Sequence, residues 1–190
     1  MPLSSFPYTR PKGLFVLDQS AYEKIYGEPE RQEIERLVEI YAPLQTKGML
    51  QDNASVLNHA EELFSGWGAP VFTPELLDSP PHLKAVFYGA GSVKYFVTDS
   101  FWERGILLTS AWGANAVPVS KYTLAQILLG LKCVWQHVLL VRREKTFTRL
   151  PVKVPGAFGS TVGLISLGMI GKRMVELLKP FDIKVIAYDP

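Results

Sequence analysis

Apolar and charged positions alternate in short blocks along the first hundred residues. Leu14-Phe15-Val16-Leu17 is an apolar run closed by Asp18, short enough for a buried strand. Between Glu28 and Tyr41, Ile34, Leu37, Val38 and Tyr41 recur at helical spacing among charges, and Pro43 marks the stop. Glu62-Leu63-Phe64-Ser65 predicts a second strand, running into Gly66-Trp67-Gly68. Thr73-Pro74-Glu75 opens a helix with a hydroxyl cap, proline at the first position and an acid in the first turn. Lys84 to Tyr88 predicts a third strand, delivered into Gly89-Ala90-Gly91. A helix over Tyr95 to Glu103 ends at Gly105, and Ile106-Leu107-Leu108-Thr109 predicts a fourth strand. Strands alternating with helices in this way make a mostly parallel sheet, with its ligand crevice beyond the carboxyl ends of the strands. Three small-residue loops follow strands: 66–68, 89–91 and Ala111-Trp112-Gly113-Ala114-Asn115. Glycine there lets backbone amides approach a ligand that a Cβ would hold off.

The longest periodic stretch predicts one helix from Val117 to Arg142. Leu124, Ile127, Leu128, Leu131, Val134, Trp135 and Val138 fall on one face, with Gly130, Cys133 and His137 beside them. Asn115 is its expected N-cap, and Arg142-Arg143 suits the negative end of the helix dipole. Such an apolar helix needs burial on more than one side, by its own domain or a second subunit. A loop punctuated by Pro151, Pro155, Gly156 and Gly159 follows.

The last thirty residues carry the most specific pattern. Thr161 to Ile165 predicts a buried strand, Ser166-Leu167-Gly168-Met169-Ile170-Gly171 a turn, and Lys172 to Lys179 a helix. Ile183 to Tyr188 predicts a second strand, ending at Asp189. Strand, glycine turn, helix, strand and an acid about twenty residues on make the dinucleotide-binding arrangement. Gly168 would let the backbone close on a pyrophosphate, and Gly171 would let helix and strand pack. The free amides of Met169 and Ile170, at the positive end of the helix dipole, would hold the phosphates. Asp189 would accept both ribose hydroxyls and repel a 2′-phosphate, favouring NAD over NADP. Ser166 stands where the pattern has its first glycine and should resist a positive φ.

Composition narrows the class without changing this picture. The 190 residues are 47% hydrophobic and 20% charged, with net charge +2, which argues against disorder and gives no polyanion footprint. One cysteine, Cys133, excludes an internal disulfide and a multi-thiolate metal site. The start, Met1 to Pro7, lacks a signal-peptide pattern, and no apolar run reaches membrane-spanning length. The expectation is a cytoplasmic protein with no nucleic-acid or membrane partner.

The chain resembles the D-isomer-specific 2-hydroxyacid dehydrogenases. The resemblance rests on Leu83-Lys84-Ala85-Val86 leading to Gly89-Ala90-Gly91, on Arg104-Gly105-Ile106, on Asn115 to Thr123, and on Val162 to Pro190. It implies an α/β chain: a flavodoxin-like parallel-sheet substrate domain over 1–116, then a long linking helix and the first βαβ unit of a Rossmann domain over 117–190, left incomplete. It also implies NAD as cofactor, a small 2-hydroxy or 2-oxo acid as substrate, and a homodimer joined through the Rossmann domain and the long helix. By the same resemblance, Ala90, Gly168, Met169, Ile170, Gly171 and Asp189 would serve the cofactor. Trp67, Tyr88, Gly89 and Asn115 would serve the substrate, and the aromatic character of Trp67, Tyr88 and Trp112 suggests a roomy pocket that could stack on a ring such as a sugar acid.

Two departures stand out: Val119-Ser120-Lys121 where the family commonly has Val-Ala-Glu, and Val93-Lys94 where it commonly has an aspartate. The family's catalytic arginine, acid and histidine lie later in the Rossmann domain. His59, His82 and His137 do not match that histidine, so the expectation is a truncated chain without turnover. The competing expectation is a non-catalytic nucleotide-binding or dimerising module derived from the same family.

Overall fold

A computed structural model describes residues 9–190. The start read above for a signal pattern lies outside the described residues. The chain divides into two compact units, Met1–Trp112 and Gly113–Pro190.

The first unit runs β1 (Lys12–Val16), α1 (Gln19–Ile25), α2 (Glu28–Leu37), β2 (Glu39–Ile40), α3 (Lys47–Asp52), a 3-10 turn (Ala54–His59), β3 (Glu62–Ser65), α4 (Pro74–Leu77), β4 (Ala85–Tyr88), α5 (Asp99–Glu103) and β5 (Leu107–Ser110). All strand pairs are parallel, in the order β2-β1-β3-β4-β5. That is the flavodoxin-like order. Side chains alternate across the sheet and build two cores. Leu14, Val16, Leu63, Val86 and Tyr88 face one way, onto Leu50, Leu77, Phe72 and Phe101. Phe15, Leu17 and Phe64 face the other way, onto Ala21, Tyr26 and Val38.

Two expected helices are shorter than their periodicity predicts. The stretch over Glu28–Tyr41 leaves the helix at Val38, which is extended at φ −129°. Residues 39 and 40 instead pair with Lys12 and Gly13, so the open edge of β1 captures Ile40 as strand. In the stretch over Tyr95–Glu103 only Asp99–Glu103 is helical. The Phe96 carbonyl accepts the Phe72 amide at 2.8 Å, a long-range bond that a helix would not leave free.

The second unit continues α6 (Trp112–Leu131) into α7 (Val134–Glu144), then β6 (Thr161–Ile165), α8 (Met169–Leu178), a 3-10 turn (Lys179–Phe181) and β7 (Lys184–Tyr188). The single helix expected from Val117 to Arg142 is therefore two, bent by 59°. Cys133 sits at the break in the left-handed region, φ 50°. Its amide turns back to Gly130 O at 2.9 Å, and the Leu131 carbonyl accepts the Gly156 amide at 2.9 Å. A loop contact thus takes over a helix carbonyl, which the apolar stripe alone does not reveal. Asn115 is likewise not the cap: α6 starts three residues earlier, leaving Asn115 exposed in its first turn. Strands β6 and β7 pair in parallel, Thr161 opposite Lys184 through Ile165 opposite Tyr188. Helix α8 supplies the buried Met174 and Leu178. Among the described residues no single helix is long and apolar enough to cross a membrane.

Candidate functional site

In the first unit the loops expected to face a ligand do gather at the carboxyl edge of the sheet. Trp67 lies just past β3 and is half exposed. Its carbonyl accepts the Asp18 amide at 2.9 Å, which ties this loop to the end of β1. Gly68 has φ +88°, and a Cβ there would run into the Asp18 carboxyl group, so both backbone and space demand glycine. Gly66 and Gly89 have a reason the sequence did not show. A Cβ on either would collide with the side chain of Ile25, which α1 lays across both loops. Their first duty is packing.

Tyr88 is 2% exposed, and its ring enters the core against Phe96 at 4.7 Å. Its hydroxyl meets that of Tyr95 at 2.6 Å. Burial pushes the Tyr88 phenol well above its ordinary range. The ring that was expected to wall a ligand pocket is a core ring, and only the backbone of Tyr88 belongs to the loop. Tyr26 is held in the same way: its hydroxyl lies 2.8 Å from Ser65 O and 3.0 Å from Phe87 O, sharing one proton between two strand ends. Burial raises this phenol too. A cavity of about 370 Å³ opens beside it, lined by Phe64, Phe87, Gly89, Ser110 and Ala111. The amides of Ala90, Gly91 and Ser92 find no acceptor among the described residues.

The second unit brings together Gly168, Met169, Ile170, Gly171 and Asp189. Gly168 is the N-cap of α8 with extended backbone, φ −60° and ψ −167°, and no side chain caps the helix. The amides of its first turn therefore have no partner from within the helix. The nearest atom to a Cβ on Gly168 would be Ser166 Oγ, 3.9 Å away, so nothing in the protein forbids one. At Gly171 the opposite holds: a Cβ would strike the Ser166 carbonyl oxygen, with the carbonyl carbon at 3.1 Å. The Asp189 carboxylate accepts the Leu167 amide at 2.9 Å, joining the end of β7 to the glycine turn. The Ser166 amide donates to Tyr188 O at 2.7 Å. Met169 packs over Gly113 in α6, two residues before Asn115, with its methyl 3.3 Å from where a Cβ would stand.

Ser166 corrects an expectation. It adopts φ 77° although it is not glycine, because the Tyr188 bond and the Gly171 contact hold the turn. Left-handed backbone at a residue with a Cβ costs on the order of 1 kcal/mol. Ser166→Gly should therefore raise the melting temperature by a few degrees, roughly the equivalent of 1 kcal/mol. A lower melting temperature in a thermal scan would show that the serine side chain carries more than the strain.

His59 meets the Tyr41 ring edge-on at 6.3 Å, His82 precedes β4 at the amino end of the sheet, and His137 Nδ1 is 3.3 Å from Cys133 O on α7.

Comparison with known proteins converges on this arrangement. Residues 125–190 match the family model described as D-isomer specific 2-hydroxyacid dehydrogenase, NAD binding domain. Over these residues the chain is similar to the NAD-binding domain of the D-isomer specific 2-hydroxyacid dehydrogenases. It is 26% identical over 118 residues to D-3-phosphoglycerate dehydrogenase of Methanocaldococcus jannaschii, covering 62% of this chain and 22% of that protein. It is 26% identical over 118 residues to glyoxylate reductase of Thermofilum pendens, covering 60% of this chain and 35% of that protein. The matched residues thus span well under half the length of these two dehydrogenases. Among solved structures, the D-isomer specific 2-hydroxyacid dehydrogenase of Lactobacillus delbrueckii superposes with TM-score 0.71 at 17% identity, over 94% of this chain and 53% of that one. D-lactate dehydrogenase of Aquifex aeolicus, solved with NAD and lactic acid, gives TM-score 0.66 at 22% identity, over 94% and 51%. Both solved structures share the α/β fold of this chain.

Proposed function

We propose that these residues supply the substrate-binding loops and the first half of the nucleotide cradle of an NAD-dependent oxidoreductase acting on the CH–OH group of a D-2-hydroxy acid. The observation that carries the reading is the Asp189–Leu167 bond at 2.9 Å beside the uncapped start of α8. It places a carboxylate and free helix amides at the two ends of one turn, the chemistry that a ribose and a pyrophosphate require. Open space at Gly168 fits that use, since a close backbone approach needs room where a Cβ would stand. When bound, the nicotinamide would supply the hydride exchanged with C2 of the acid. The residues of this chain bind and orient. Met169 and Ile170 offer amides to phosphate, and Asp189 takes ribose hydroxyls with the oxygen lone pairs that Leu167 leaves free. The loop after β4 offers the Ala90, Gly91 and Ser92 amides to a substrate carboxylate. None of the three histidines is assigned as acid or base.

The half-exposed Trp67 and Trp112 offer ring-facing surfaces to the substrate, and the buried Tyr88 side chain does not. Self-association through the second unit belongs to the same proposal, supported by exposed Tyr122, Trp135 and Leu139 on α6 and α7. So does a cytoplasmic location.

Titrating the purified chain with NADH and NADPH by nucleotide fluorescence tests the core of the reading. Saturable NADH binding, with NADPH weaker by at least about tenfold, is expected from a carboxylate facing the ribose. Equal binding of the two, or none of either, refutes it. Equilibrium binding of glyoxylate, pyruvate and sugar-derived 2-oxo acids to the NADH-loaded chain then tests the substrate class, with the sugar-derived acids expected to bind more tightly.

A further inference from the structure

We infer that Ser110 is a positioning residue for the substrate carboxylate, acting through the loop after β4; this rests on the substrate reading above. Ser110 ends β5, and its hydroxyl lies 3.0 Å from Ala90 O and 2.7 Å from Gly91 O. The same oxygen accepts the Trp112 amide at 3.3 Å. One hydroxyl therefore gathers two successive loop carbonyls and the first amide of α6.

The consequence follows from the planarity of the peptide unit. In a trans peptide the carbonyl and the next residue's N–H point in opposite directions. Turning the Ala90 carbonyl toward Ser110 turns the Gly91 amide away from it, and turning the Gly91 carbonyl does the same to the Ser92 amide. Both carbonyls are engaged by one atom, so both amides leave the loop on the side opposite Ser110. Neither has an acceptor among the described residues. Two adjacent backbone donors aimed the same way form an anion-binding concavity, which suits a carboxylate. Without the hydroxyl, either peptide can flip and present a carbonyl oxygen to the anion instead of an N–H.

The sheet around the loop is built independently of this hydroxyl. Gly89 donates to Ser65 O at 2.8 Å and Ala111 to Tyr88 O at 2.9 Å, while Phe96 is fully buried. Removal of the hydroxyl should therefore alter loop aim far more than fold.

The test uses backbone amide NMR of the 190-residue chain titrated with sodium pyruvate, against sodium chloride at equal ionic strength. In the wild type the Gly91 and Ser92 amide signals should shift saturably with pyruvate and not with chloride. Ser110→Ala should need at least about tenfold more pyruvate for the same shift, and Ser110→Thr, which keeps the hydroxyl, should return within about threefold of wild type. A merely structural serine would not give rescue tied to the hydroxyl. Should Ser110→Ala melt too early to titrate, Ser110→Cys, similar in size but a weak donor, gives the same comparison. A Ser110→Ala response equal to wild type overturns the inference and leaves the substrate reading standing. No wild-type response at Gly91 and Ser92 overturns both, and the NADH titration then decides the nucleotide half separately.

Discussion

Gly171→Ala should abolish NADH binding and lower the stability of the second unit, whereas Gly168→Ala should abolish binding while leaving stability nearly intact. The two glycines sit three residues apart in one turn but answer to different constraints. A Cβ at 171 strikes the Ser166 carbonyl oxygen, a backbone atom already fixed within the positive-φ turn. Backbone cannot swing aside as a side chain can, so the start of α8 must move away from β6. Forced overpacking of this kind costs roughly 1–3 kcal/mol. The same movement carries the Met169 and Ile170 amides off their aim, and anion binding at a helix start is steep in distance. At Gly168 the only neighbour of a Cβ is Ser166 Oγ at 3.9 Å, an ordinary contact. A methyl there occupies the room left for a phosphate rather than room left for the protein. Melting curves and NADH fluorescence on both variants separate the cases. Retained NADH affinity in Gly168→Ala would remove the phosphate assignment, and an unchanged melting temperature in Gly171→Ala would remove the packing argument.

Phe101→Ala is expected to be the most damaging change in the first unit. Phe101 on α5 is fully buried and packs against Phe72 at 5.2 Å, which in turn meets Phe96 at 5.9 Å. These rings cover the sheet face that carries Val86 and Tyr88. Loss of a buried phenylalanine costs about 3–5 kcal/mol from lost transfer energy and the cavity left behind. For a domain near a hundred residues this corresponds to on the order of 15–30 °C in melting temperature. The expected result is a first unit largely unfolded near body temperature, read by near-ultraviolet circular dichroism. The neighbouring Trp102 is 55% exposed, so Trp102→Ala should cost far less and serves as the control. Similar losses from the two variants would mean that α5 is not held by its Phe101 face.

The strands were the most legible part of the sequence. Apart from β2, Glu39–Ile40, each contains a short apolar run. In β1, β3 and β4 that run is buried on both faces of the sheet, as a parallel strand requires, whereas β6, expected to be buried, is largely exposed. The strand–turn–helix–strand segment from Thr161 to Asp189 was legible for a related reason: the hydrogen bonds that tie its turn to its second strand close within the segment, so spacing carries them. The Asp189–Leu167 bond spans a single βαβ unit. Helix ends were much less legible. Glu28–Tyr41 keeps helical periodicity past Leu37, but β1 offers Ile40 an edge to pair with, and pairing wins. The α6–α7 stripe runs unbroken through Cys133, yet Gly156 takes the Leu131 carbonyl and the helix turns. The candidate site divides along the same line. Gly66 and Gly89 were visible as glycines, but Ile25, the residue that demands them, lies roughly forty and sixty positions earlier and carries no local signal. Ser110 was passed over because an isolated serine at a strand end looks like many others, and only the fold brings the Ala90 and Gly91 carbonyls to it.

The alternation of strands and helices and the dinucleotide turn follow from residue type at fixed spacing along the chain, so they could be read without the fold. Tertiary structure alone decided where helices stop, that Tyr88 is a core ring, that Ser166 takes a left-handed backbone, and which way the loop after β4 turns its amides. Each of those outcomes is a choice between local conformations of similar energy. A partner distant in sequence makes it by accepting or donating one hydrogen bond, or by filling one space.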